Sequence, residues 1–188
     1  DVAPSGKPTS QVPTKDYVAG DRGTITYINT AIGGWTSQDA INYKATFLED
    51  QIRNYGCDLF VVALGMNDGA VDPSVTKNNV QTIVDSVYTL APNAAVALTS
   101  TMVPNPDGIG WYGNQDQQEA QLKALATAYR RSGRICDISC MTSVSLAVLE
   151  RKDFNDYSGN NINHPNDFFG RLYAQNLVQL ILGYDNLG

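Results

Sequence analysis

The spacing of apolar positions changes along the chain in a way that separates strands from helices. Thr24 to Asn29 (TITYIN) is a β-branched and aromatic run, and Gly33 and Gly34 supply a turn after it. Segment 38–55 carries Ile41, Ala45, Leu48 and Ile52 at helical spacing, with Ser37 in the N-cap position and Gly56 as the C-terminal stop. Asp58 to Leu64 (DLFVVAL) is an almost unbroken apolar run, the pattern of a strand buried on both faces of a parallel sheet. It leads into the loop Gly65-Met66-Asn67-Asp68-Gly69. A helix then runs from Pro73 to near Pro92, with a stripe of Val80, Ile83, Val84, Val87 and Leu90. The cycle repeats as strand 94–101, a long loop holding Pro104, Pro106, Trp111 and Tyr112, and helix 115–132. Strand 134–139, helix 141–151, loop 155–165 and helix 166–182 complete it. Residues 1–15 hold three prolines and no apolar period, so they read as an irregular arm.

Strands alternating with helices predict one α/β domain over residues 1–188, with a central parallel sheet between two helical layers, because right-handed crossovers place helices on both faces. Ligands of such sheets gather outside the carboxyl ends of the strands. That rule selects loops 33–37, 65–69, 103–114 and 155–167. With 188 residues, 43% of them hydrophobic, the chain is long enough to hide about 70% of its unfolded surface. A net charge of -6 and no basic stripe argue against a nucleic-acid partner. No apolar run approaches the roughly 20 residues that span a bilayer, so no membrane partner is expected. Cys136-x-x-x-Cys140 has no second pair to match it, and with one histidine in the whole chain the ligand spacing of a structural zinc is missing, so neither metal nor cofactor is expected. Few lysines and glutamates beside many asparagines and tyrosines suggest an extracellular or secreted protein.

Three of the selected loops carry candidate chemistry. His164, the single histidine, sits in Asn161-Ile-Asn-His164-Pro165. A free imidazole titrates near pH 6.5, which suits it to general base work at neutral pH. In Gly65-Met66-Asn67-Asp68 an asparagine amide can donate to an oxygen that turns negative during acyl transfer. In Ile32-Gly33-Gly34-Trp35-Thr36-Ser37 a glycine N–H can approach a ligand closely beside a helix N-terminus. Each stretch alone is also an ordinary turn.

Taken in this order, the three loops resemble the SGNH hydrolases, also called GDSL esterases and lipases, over about residues 17–183. The resemblance implies a flavodoxin-like three-layer fold and a serine esterase. In it Gly34 N–H and the Asn67 amide would form the oxyanion hole, and His164 would be the base. Where the family has an aspartate, this chain has Asn161, so the ring would be oriented by a carbonyl or by a carboxylate such as Asp156, as in a Ser-His dyad. The family's Gly-Asp-Ser block is not found. Ser10 follows no apolar strand, and Ser37 is explained as a cap. The expectation is that the chain is the downstream part of a longer polypeptide whose first strand carries the nucleophile. Trp35, Trp111 and Tyr112 lie on loops of the presumed active face and suit stacking on sugar rings. The implied substrate is therefore a small-molecule or polysaccharide ester, O-acetylated carbohydrate before long acyl chains. The alternative is a non-catalytic carbohydrate-binding or scaffold relic of the same fold. A nucleotide-binding module would need a phosphate-cradling glycine loop after its first strand, and none is seen.

Overall fold

The computed structural model describes residues 14–18, 24–105 and 114–184. Its centre is a parallel sheet of β3 (Leu59–Ala63), β4 (Ala95–Thr99) and β5 (Cys136–Ser139), in that spatial order. The register places Phe60, Val96 and Cys136 side by side, with Val62, Leu98 and Ile138 two residues on. These six residues share one face, because side chains alternate along a strand. Against that face pack Val80, Ile83, Val84 and Val87 of α3 (Pro73–Leu90) and Leu122, Leu125 and Ala126 of α4 (Gln115–Arg131). The closing helix α6 (Asp167–Tyr184) packs on β4 and β5, and helices on both sides of the sheet make the three-layer α/β/α arrangement. A shorter helix, α5 (Met141–Leu149), follows β5.

Several sequence expectations need correction. Thr24–Ile28 (β2) does not join the parallel sheet but pairs antiparallel with Thr14–Val18 (β1), so strand structure also reaches into the expected arm. TKDYV offers a β-compatible partner close in sequence, and Ile25 and Tyr27 stay exposed on this ribbon. The apolar run of β3 is buried on one face only, since Leu59 and Val61 remain 37% and 40% exposed. The expected helix 38–55 is interrupted, running as α1 (Ser37–Asn42), a wider π-helical stretch Ala45–Glu49, and α2 (Asp50–Tyr55).

The cap of α1 is Thr36, one residue before the expected Ser37. Asp39 N–H donates to the Thr36 hydroxyl oxygen at 3.1 Å, and the Asp39 carboxylate accepts from Thr36 N–H at 3.0 Å. This reciprocal capping box satisfies helix-end donors at both residues. It leaves Ser37 free for a different contact.

Candidate active site

Two residues past the end of β3, Gly65 has a φ of 119°, a conformation that side-chain-bearing residues rarely adopt. A Cβ there would lie 2.9 Å from Gln118 Oε1, so a larger residue would also displace the end of that side chain. The chain then makes one tight helical turn, Met66–Asp68. Asp68 is buried, and its carboxylate accepts from Ser37 N–H at 2.7 Å and from the Thr76 hydroxyl at 2.6 Å. One buried acid thus ties the first turns of α1 and α3 to the loop after β3. Beside it, Asn67 Nδ2 donates to the Trp35 carbonyl at 3.1 Å. That bond joins the Gly33–Ser37 loop to the Gly65–Asp68 loop. It uses one of two N–H groups on the amide, leaving the other able to donate. Gly34 N–H has no acceptor among the described residues.

His164 lies on a hairpin of residues 157–166. Its base is closed by the antiparallel bridge between Ser158 and Pro165 and by Gly159 N–H donating to the His164 carbonyl at 2.7 Å. A Cβ on Gly159 would stand 3.0 Å from the Pro165 carbonyl oxygen, and the missing side chain permits this close approach. Asn166 leaves the hairpin by capping α6, its Oδ1 accepting from Phe169 N–H at 3.0 Å. Tyr157 and Phe169, on either side of the hairpin, are fully buried with Met102 and Met141. Met66, the neighbour of Asn67, packs against the same cluster. A small apolar core therefore underlies both the Asn67 loop and the His164 hairpin.

No hydrogen bond joins Asn161 or Asp156 to the imidazole. Asn161 adopts φ 57°, and its carbonyl accepts from Asn105 Nδ2 at 2.9 Å. Asp156 is exposed, and its backbone carbonyl accepts from Asn166 Nδ2 at 2.8 Å. Among the described residues the His164 ring makes no hydrogen bond. Trp35 is 8% exposed, its ring stacked on Tyr43 at 5.2 Å and edge-on to Phe47 at 5.5 Å. It is a core anchor and not an open sugar platform. Trp111 and Tyr112 lie outside the described residues.

Sequence reasoning gave no role to three residues that shape this region. Asp68 was seen only as part of a motif. Asn160 folds the His164 hairpin around its side chain. Glu119 is a buried carboxylate beyond the ends of β4 and β5, accepting from the Ser100 hydroxyl at 2.6 Å, Thr142 N–H at 3.0 Å and Ser143 N–H at 3.2 Å. The Ser143 hydroxyl and, at 2.9 Å, Lys123 Nζ complete its shell. Burial pushes the Glu119 carboxyl up, and the Ser100, Ser143 and Lys123 donors outweigh it to hold the group below its ordinary value.

Comparison with known proteins bears on the family and the fold. The sequence profile of the GDSL-like Lipase/Acylhydrolase family matches residues 8–168. Among curated proteins, none matches the chain in sequence. Among solved structures it is similar to a family 3 carbohydrate esterase from Clostridium thermocellum, with a TM-score of 0.59 and 14% identity over 78% of this chain. It is also similar to a protein from Bacteroides fragilis NCTC 9343 assigned as an acylhydrolase, with a TM-score of 0.56 and 16% identity, covering 81% of this chain and 72% of that one. These likenesses show a shared fold. The chain spans 64% of the length of the carbohydrate esterase.

Proposed function

The chain belongs to the GDSL-like lipase/acylhydrolase family, and from that premise we propose that it supplies the base and oxyanion donors of a serine esterase. The substrate class we propose is carboxylic esters, with O-acetyl groups on carbohydrate first among them. The bond from Asn67 to the Trp35 carbonyl supports this reading most, because it ties the Asn67 amide to the loop that carries Gly34.

In the proposed reaction a serine hydroxyl attacks the ester carbonyl carbon while His164 takes its proton. The carbonyl oxygen becomes an oxyanion and receives Gly34 N–H and the free N–H of Asn67. Collapse of the tetrahedral species breaks the C–O bond, and His164 returns the proton to the leaving sugar oxygen. Water then repeats the sequence on the acyl-enzyme. With asparagine at 161, the base works as the partner of a dyad, its ring placed by the backbone that carries it.

The carbohydrate preference draws on the structural likeness to a carbohydrate esterase and on Trp111 and Tyr112 in the loop between β4 and α4. With the Trp35 ring buried, stacking on sugar falls to those two residues. An extracellular location is part of the same reading. Asn161 in place of a carboxylate favours a second reading, a domain that binds acetylated carbohydrate without cleaving it.

Acetyl release from acetylated xylan and acetyl-sugars, set beside hydrolysis of long-chain p-nitrophenyl esters, separates these readings. The esterase reading expects acetyl release that His164→Ala abolishes. Preference for long chains overturns the carbohydrate assignment, and binding without turnover supports the second reading.

A further inference from the structure

Five asparagines crowd the His164 hairpin and the loop that meets it, and one of them stands apart by what it holds. Asn160 Oδ1 accepts from three backbone N–H groups: Ile162 at 3.0 Å, Asn163 at 2.9 Å and His164 at 2.9 Å. Its Nδ2 donates to Oδ1 of the buried Asn163 at 3.2 Å. From the opposite side, Asn105 N–H donates to the Ile162 carbonyl at 2.7 Å, and Asn105 Nδ2 donates to the Asn161 carbonyl. Amides at the hairpin tip therefore point inward to Asn160, and carbonyls point outward to Asn105. Both backbone polar groups of His164 are bonded within the hairpin, its N–H to Asn160 and its carbonyl to Gly159 N–H.

An exposed tip of this kind would otherwise sample many conformations, since ordering each residue costs about 1–2 kcal/mol. Fixing the peptide groups on both sides of His164 leaves the side chain only its own two torsions. The ring has no partner among the described residues, so the backbone is what places it. From this we infer that Asn160 is a positioning residue for the base, which rests on the reading of His164 as that base. The carboxamide oxygen sets the path of residues 162–164, and through it the place of the imidazole.

The test combines amide hydrogen exchange with steady-state kinetics. In Asn160→Ala the Ile162, Asn163 and His164 amides should exchange at least about tenfold faster, while amides of β4 keep their protection. Asn160→Asp keeps an acceptor oxygen at the same reach and should restore protection. In ester hydrolysis the alanine variant should lose about tenfold to a hundredfold in kcat with KM unchanged, and the aspartate variant should recover most of it. Unchanged exchange in the alanine variant, or no recovery with aspartate, overturns the inference; so does a rise in KM at constant kcat. If alanine unfolds the domain, β4 loses protection too, and Asn160→Asp alone decides: a folded variant with wild-type protection at 162–164 supports the inference and an unprotected tip refutes it. Wild-type hydrolysis by His164→Ala would remove the base reading itself, while the exchange result would still report on what Asn160 holds.

Discussion

Replacing Glu119 with alanine should destabilise the fold by a measurable margin. The carboxylate is 4% exposed and takes bonds from two hydroxyls, two backbone N–H groups at the start of α5 and one ammonium. The hydroxyls can turn to other acceptors; Ser100 already lies 3.3 Å from the Ser139 carbonyl. Of the two N–H groups, Thr142 N–H keeps the Ser100 hydroxyl oxygen at 3.1 Å, and Ser143 N–H, on an exposed residue, opens to water, so neither is left orphaned. What alanine loses is the set of bonds to a charged acceptor, partly offset by removing a buried charge, and it should cost about 2–3 kcal/mol. For a chain of this size that is a fall in Tm of about 4–12 °C. Glutamine keeps an acceptor oxygen and should cost less than half as much. Urea unfolding with a constant m-value measures the difference. The sign with pH follows from the depressed carboxyl: its stabilisation is complete above the ordinary glutamate value and is lost as pH falls through the lower folded-state value. The wild type should therefore lose more stability on acidification than Glu119→Gln. An alanine variant within 1 kcal/mol of wild type, or wild-type and glutamine curves that run parallel below pH 4.5, would refute the reasoning.

Three further outcomes follow from the same contacts. Gly65→Ala forces both a positive φ and a contact with Gln118 Oε1, and should cost about 2–4 kcal/mol in urea unfolding. Adding Gln118→Ala should return the steric part only. Trp35→Ala should lower stability by about 3–5 kcal/mol, as for any large core aromatic. A surface stacking residue would leave the melting curve in place. Asn161→Ala should leave kcat/KM within about threefold, because its backbone carbonyl makes the 2.9 Å bond to Asn105 Nδ2 and its side-chain oxygen only a 3.5 Å one, with about 1 kcal/mol of stability lost to the left-handed backbone. Loss of all activity would show that its amide acts on the ring.

The parts of the fold that sequence revealed are those where one periodicity decides the matter. The α3 stripe of Val80, Ile83, Val84 and Val87 is buried as spaced, and β4 and β5 fall inside their apolar runs. What sequence did not reveal depends on partners. An apolar run such as DLFVVAL shows that burial is wanted, but whether a second layer covers Leu59 and Val61 is set by where α6 lies. The cap was legible and missed: Thr36-Ser-Gln-Asp39 has a hydroxyl and a carboxylate three apart, the spacing of a capping box. At the site, glycine, asparagine and histidine marked the loops, but their contacts depend on the fold. Asn160 looks like its neighbours Asn161 and Asn163 in sequence, and only the curl of the hairpin singles it out. Trp35 follows two glycines on a loop, yet Tyr43 and Phe47 close over it.

If Asn67 donates to the oxyanion of acyl transfer, acetyl release by this protein depends on that amide, and the deciding measurement is kcat with asparagine and then alanine at position 67. Alanine should lower kcat about a hundredfold to a thousandfold with KM nearly constant. Equal kcat in the two proteins would show that the amide plays no such part.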